Sequence, residues 1–357
     1  RVAPRLRTLF SADALGRGLA REDDRVMDQS GADAFLPTAT LTPTRSPASR
    51  SGLVGKAFVF PGQGSQAVGM GKALAEAFPA ARAVFDEVDS ALGERLSGLM
   101  FDGPEADLVL TANAQPALMA VSLAATRVLE AEAGLDLARD AKFVAGHSLG
   151  EYSALAAAGA FSLADAARLL RLRGKAMQAA VPVGQGAMAA LLGLDYETGV
   201  AVAAEAQAEA GGVCQIANDN GGGQVVASGS KAAVDKAIEI AKGKGAKRAM
   251  LLAVSAPFHC ALMQPAADAM AEALAKTNIV APRVPVVANV VARAVSDPAE
   301  IRDLLVKQVT GTVRWRECVG YMAANGCDRF VELGAGKVLT GLLKRLAEGA
   351  TGMSVGA

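Results

Sequence analysis

Lys142-Phe143-Val144-Ala145-Gly146-His147-Ser148-Leu149-Gly150 is the stretch on which the fold turns. Lys142–Ala145 reads as a short apolar strand, and from Leu149 the Ala-rich composition reads as a helix. Between them, glycines at 146 and 150 permit a tight strand-to-helix turn. The five residues Gly146–Gly150 fit G-x-S-x-G in the context a nucleophile elbow requires, with the Ser148 hydroxyl thrown out into a cleft. The N–H of Leu149, at the helix start, can then point toward a developing oxyanion. An ordinary strand-to-helix turn is the alternative, and the five-residue pattern alone is common in Gly/Ser-rich chains.

Working outward, Lys56–Phe60 is another apolar strand, stopped by Pro61-Gly62-Gln63-Gly64. Helical stretches are expected near 69–92, 114–133, 149–158 and 163–180, and later near 261–276 and 297–308. Pro285–Val290 and Arg329–Glu332 read as further strands. Strands alternating with helices imply an α/β fold, with a mostly parallel sheet covered on both faces. The middle of the chain has a different rhythm. Strands at Ala187–Leu192, Val213–Ala217, Gln224–Ser228 and 247–254, with helices at 195–210 and 230–243, spell β-α-β-β-α-β, the ferredoxin-like pattern. The expected organisation is a large parallel-sheet domain, 54–183 and 255–357, with a small ferredoxin-like domain, 184–254, inserted into it.

Residues 1–53 stand apart. Five arginines fall in the first 21 positions, and Thr40–Ser51 is a Ser/Thr/Pro stretch without apolar period, so the segment reads as a disordered leader and linker. An over-extended reading frame is the favoured origin, and an Arg-rich mitochondrial transit peptide is the alternative. The 357-residue chain carries 36 basic and 36 acidic residues, but residues 1–53 hold eight basic against six acidic, leaving 28 against 30 for the rest. A nucleic-acid-gripping role is disfavoured by that balance. No apolar run reaches the roughly 18 residues needed to span a bilayer. Four cysteines without C-x-x-C spacing and only two histidines exclude the common metal-site patterns. A reduced, cytoplasmic protein is the expectation.

The scarcity of histidine narrows the chemistry. A serine nucleophile needs a base. His147 adjoins Ser148 on a sharp turn, so its side chain should diverge from the hydroxyl. His259, in Ser255-Ala256-Pro257-Phe258-His259-Cys260 just past a strand end, is the base by elimination. Arg173 is the most informative charge. On the helix 163–180 it falls near the centre of the face defined by Ala166, Leu169, Leu170, Ala176 and Met177, whereas Arg168, Arg171 and Lys175 gather on the opposite, solvated face. A guanidinium turned inward needs an anion. Either a buried Asp or Glu supplies it, or Arg173 is a receptor for a carboxylate, and helix geometry leaves both open. Gly62-Gln63-Gly64-Ser65-Gln66-Ala67 imitates a dinucleotide fingerprint, but the following segment lacks the second strand and terminal acid of such a site. Gly334-Ala335-Gly336-Lys337 lacks the first glycine and the trailing hydroxyl of a phosphate cradle.

Phe60-Pro61-Gly62-Gln63-Gly64-Ser65-Gln66, Gly146-His147-Ser148-Leu149-Gly150-Glu151-Tyr152, Arg173-Gly174-Lys175-Ala176-Met177-Gln178 and Pro257-Phe258-His259 follow one another in an order that resembles the malonyl-CoA:acyl carrier protein transacylases of type II fatty-acid synthesis. The resemblance spans about 55–346. It implies an α/β-hydrolase-like large domain with a ferredoxin-like small domain. It also implies Ser148 as the acyl-carrying nucleophile and His259 as its base, oriented by main-chain oxygen at the position of Gln308. The N–H groups of Gln63 and Leu149 would form the oxyanion hole, Arg173 would grip the malonyl carboxylate, and Asn289 would help shape the pocket. No bound cofactor or metal is implied; the substrates would be malonyl-CoA and phosphopantetheinylated acyl carrier protein.

The family is usually monomeric. Its carrier proteins are acidic, so a local basic patch is expected, either Lys242, Lys244, Lys247 and Arg248 or Arg168, Arg171 and Lys175. The rival expectations are an acyltransferase of a polyketide pathway, a serine hydrolase or thioesterase, and a non-catalytic carrier-binding module.

Overall fold

The computed structural model describes residues 55–356, so the leader expected at 1–53 lies outside the described residues. Among the described residues, ten strands form two sheets. β1 (Gly55–Phe60), β2 (Phe143–Gly146), β7 (Val286–Ala288), β8 (Arg293–Val295), β9 (Cys327–Leu333) and β10 (Thr351–Val355) make a six-stranded sheet of order β10-β9-β1-β2-β7-β8. All its pairs are parallel except β7 with β8. β1 and β2 lie at its centre, with Phe60 paired to Gly146, so the loops that follow both strands leave the same edge side by side. Those central strands are apolar on both sides because helices cover both faces. Phe58 and Phe60 pack into one buried cluster, while Ala57 and Val59 pack into another on the opposite face.

The second sheet is antiparallel, of order β4-β5-β3-β6: β3 (Gly186–Leu192), β4 (Cys214–Asp219), β5 (Gln224–Ser230) and β6 (Arg248–Leu251). Helices Tyr196–Ala210 and Lys231–Gly243 cover one face through Val202, Ala206, Val234 and Ala237. All of it comes from residues 186–251. The four-stranded sheet is tied to the rest of the chain where Val313, just past the helix Pro298–Thr310, bridges Asn218 and exchanges main-chain hydrogen bonds with Ala217 and Asp219.

Several expected elements differ in extent. The helix expected over 69–92 is two, Lys72–Ala77 and Pro79–Leu92, because Pro79 forces Phe78 into extended backbone. The strand expected over 247–254 is Arg248–Leu251; Leu252 keeps one main-chain hydrogen bond to Met188, and Leu252–Val254 then line a cavity. The strand expected to reach Val290 ends at Ala288, since the backbone N–H of Asn289 turns to a buried carboxylate instead of a neighbouring strand. The short strands β8 and β10 and the helix Trp315–Ala324 carried no sequence expectation.

Candidate active site

Ser148 sits between β2 and the helix Leu149–Ala157, with φ 54° and ψ −111°. A non-glycine residue there is strained. What holds it is close packing: a Cβ on Gly146 would fall 1.9 Å from the carbonyl carbon of Gly150. Asn289 braces the same turn, accepting from the Ser148 N–H at 2.8 Å and donating to the Gly146 carbonyl at 2.7 Å. Leu149 opens the helix, so its N–H has no acceptor within it.

His259 also has positive φ, 57°, and is buried in the segment that returns from β6. Its Nε2 lies 2.8 Å from Ser148 Oγ, and its Nδ1 lies 2.8 Å from the main-chain oxygen of Gln308. A carbonyl can only accept, so Nδ1 carries the proton and Nε2 is the acceptor facing the serine. Gln308 lies in the last turn of the helix Pro298–Thr310, where carbonyls are left without intrahelical partners and the helix end is partially negative. Burial first, and the Arg173 charge second, push the His259 imidazole down to about 3. The ring is therefore neutral at physiological pH.

Arg173 is only 1% exposed. The helix Leu163–Ala179 that carries it touches the helix Thr111–Ala133 so closely that a Cβ on Gly174 would sit 2.6 Å from the Ala112 Cα. That approach brings Arg173 Nη1 to Gln115 Oε1 at 2.7 Å. Nη2 donates to Gln308 Oε1 at 2.9 Å and to Ser148 Oγ at 3.1 Å, and the Tyr152 ring lies 5.6 Å from Cζ. Among the described residues Arg173 makes no ion pair within 4.0 Å. Its hydrogen-bond partners are two amides and a hydroxyl, all neutral, while the buried Glu151 acts on it through charge without an ion-pair contact.

These groups open on a cavity of about 340 Å³. Gln63, Gln115, Ser148, Leu149, Arg173 and His259 line one side, and Met188, Leu252, Val254 and Phe258 another. Gln63 is tethered through its side-chain oxygen, which accepts from Thr111 Oγ1 at 2.9 Å; Thr111 in turn accepts from Gln115. Asn289 is fully buried behind Ser148 and does not line the cavity, so it shapes the turn and not the pocket wall. His147 does diverge from Ser148: its Nε2 pairs with Asn220 Oδ1 at 2.9 Å and its ring leans on Trp315.

Sequence reasoning assigned no role to Glu151, Gln115 or Thr111. Glu151 is buried one turn beyond Ser148, its Oε2 accepting from the Asn289 N–H at 3.0 Å and from Gln308 Nε2 at 2.9 Å. Burial pushes its carboxyl up to about 7. Its signal was an acid three residues past the candidate nucleophile in an otherwise apolar helix.

Arg171 departs from expectation. Its side chain is 11% exposed, donates to the Ala112 carbonyl and pairs with Glu94, so it does not join Arg168 and Lys175 in a solvated patch. Lys244 pairs with Glu205, while Lys242, Lys247 and Arg248 are exposed. No cluster of metal-ligating side chains occurs among the described residues, and no described helix is long and apolar enough to cross a membrane.

Comparison with known proteins places the chain in a family. The acyl transferase domain family matches residues 57–356. The malonyl CoA-acyl carrier protein transacylase of Escherichia coli (strain K12) is 49% identical over 292 residues, 82% of this chain and 93% of that one. The crystal structure of acyl-carrier-protein-S-malonyltransferase from Bartonella henselae superposes with a TM-score of 0.83 at 60% identity, covering 85% of this chain and 96% of that chain. A further similar structure, TM-score 0.81 and 44% identity over 85% of this chain and 96% of its own, is a malonyl-transacylase in complex with a type II PKS acyl-carrier protein. With a serine elbow, a paired histidine and a buried arginine in one cavity, and with these relatives, the chain belongs to the acyl transferase family as one of its malonyl CoA-acyl carrier protein transacylases.

Proposed function

We propose that this enzyme moves a malonyl group from malonyl-CoA to the phosphopantetheine thiol of an acyl carrier protein, through a malonyl ester on Ser148. The observation that carries this reading is Arg173, a buried guanidinium 3.1 Å from the Ser148 hydroxyl with no described carboxylate within ion-pair distance.

Ser148 Oγ attacks the thioester carbon while its proton passes to His259 Nε2. The N–H groups of Gln63 and Leu149 receive the oxyanion, and collapse expels the coenzyme A thiolate, which takes the proton back from His259. In the second half the carrier thiol gives its proton to His259 and attacks the ester. The Ser148 oxygen leaves and is reprotonated by His259. The Gln308 carbonyl keeps the ring in the productive tautomer and favours the imidazolium that forms. Arg173 selects the acyl group, because a malonyl carboxylate satisfies the guanidinium bidentately whereas an acetyl group leaves it unpaired. The same carboxylate offsets the Arg173 charge, one of the causes that weaken His259, so the correct substrate strengthens its own base.

The remaining parts of this reading are a division into an α/β-hydrolase-like domain, 54–183 and 255–357, and a ferredoxin-like one, 184–254. It also includes a monomeric cytoplasmic enzyme with no bound cofactor, and docking of the acidic carrier at Lys242, Lys247 and Arg248. Arg171 is spent on Glu94, which weakens the other basic cluster. A carrier from a polyketide pathway is the second reading, favoured by the relative whose partner is of that type.

Incubation with malonyl-CoA followed by peptide mapping tests the proposal. Malonyl on Ser148 that discharges onto added carrier protein supports it; release of free malonate alone makes the enzyme a hydrolase.

A further inference from the structure

The geometry points to Glu151 as a positioning residue that, by fixing the orientation of the Gln308 side-chain amide, aims Arg173 at the acyl carboxylate. The inference rests on the reading of Arg173 given above. Glu151 does not line the cavity; it reaches the site through its hydrogen bonds to the Gln308 amide and the Asn289 N–H, and through its charge on Arg173.

Gln308 has two faces that a rotation of the amide would exchange. One meets Arg173 Nη2 at 2.9 Å and the other meets Glu151 Oε2, also at 2.9 Å. Arg173 can only donate, so the face toward it must be the oxygen; a carboxylate can only accept, so the face toward it must be the NH2. Each partner enforces the same orientation, but Arg173 is the one due to exchange partners when substrate arrives. Glu151 is the fixed one. It lies on the first turn of the helix that begins at Ser148, and the same Oε2 also holds the Asn289 main-chain N–H at 3.0 Å. The Gln308 NH2 is held further by the Ser148 carbonyl at 2.9 Å. Oε2 stays an acceptor whether or not the other carboxyl oxygen carries a proton, so the orientation is held on both sides of the raised titration.

Burying a carboxyl is costly, and packing alone does not need one here. Without Glu151 the NH2 keeps only the Ser148 carbonyl and, at 3.3 Å, Asn289 Oδ1, so the amide is held less firmly; any flip turns NH2 toward NH2 at Arg173 and drives the guanidinium off its line. Malonyl transfer should then suffer more than acetyl transfer, which makes no use of the guanidinium.

The test is the ratio of malonyl to acetyl kcat/KM in the full-length enzyme. Glu151→Ala removes the acceptor and Glu151→Asp withdraws it by one methylene; each should lower the ratio by about tenfold, given that a displacement near 1 Å can cost a hundredfold. Glu151→Gln, whose carbonyl can accept in the same place, should restore the ratio to within about threefold of the parent. In the Gln308→Leu background, adding Glu151→Ala should change the ratio no further. An unchanged ratio in Glu151→Asp, a Glu151→Gln enzyme no better than it, or additive losses with Gln308→Leu overturns the inference. If Glu151→Ala does not fold, Glu151→Asp and Glu151→Gln carry the test. Arg173→Ala is measured beside them. If that change fails to lower the ratio, the reading of Arg173 itself fails; if it succeeds while Glu151→Asp has no effect, only the role of Glu151 is lost.

Discussion

Both sheets line the same cavity, but they bring different chemistry to it. From the six-stranded side come Gln63, Ser148, Gln115 and Arg173, backed by Glu151, Asn289 and Gln308 in one hydrogen-bonded network. From the four-stranded side come one polar residue, Asn218 of β4, and Met188 with, beyond β6, Leu252 and Val254, which pack with Ala217, Val226 and Phe258 as a small apolar cluster. His259 is carried on the segment returning from that second sheet, yet its Nδ1 is anchored on the Gln308 carbonyl of the first side. The difference is one of fragility. A buried polar network loses heavily when one member is removed, because its partners are left unsatisfied. An apolar wall loses in proportion to area. Chemistry and acyl choice should therefore map to one side of the cavity, and only cover to the other.

The largest effect belongs at the nucleophile. Ser148→Ala should abolish the acyl-enzyme and lower transfer on the order of 10⁵-fold. His259→Ala should cost about 10³-fold, read as the rate of acylation in single turnover. Next comes a pH effect. Arg173 is the second cause, after burial, that holds His259 low. Removing that cation makes the imidazolium less unfavourable, so in Arg173→Ala the acid limb of kcat/KM for acetyl transfer should move to higher pH. A limb that stays put would separate the two groups electrostatically. The smallest effect belongs to the wall: Leu252→Ala should lower kcat/KM by no more than about tenfold, and equally for malonyl and acetyl. A malonyl-selective loss there would place acyl choice on the wrong side.

The sequence carried some of this convergence and not the rest, for physical reasons. Ser148 was legible because an elbow needs small residues at fixed offsets from one side chain. His259 stood out because so few histidines compete with it. The inward phase of Arg173 was readable from helical period, but period cannot say what a buried guanidinium meets. That depends on Gln308, 135 residues away, and Gln115, 58 residues away. Glu151 was overlooked for the same reason: an acid on an otherwise apolar helix hints at burial, but its partner Gln308 is 157 residues distant. The parallel sheet followed from alternating strands and helices, whereas β8 and β10, three and five residues long at the sheet edges, lack a pattern long enough to read. The break at Phe78 was available in Pro79, and the apolar run on either side hid it.

The measurement that bears most directly on the role of Arg173 is malonyl and acetyl transfer by Arg173→Ala, compared as kcat/KM. An unpaired buried guanidinium beside the nucleophile predicts a malonyl loss far larger than the acetyl loss, by at least about tenfold if the carboxylate pair contributes as charged hydrogen bonds commonly do. Equal loss of both activities would show that Arg173 supports the fold of the site and does not choose the acyl group.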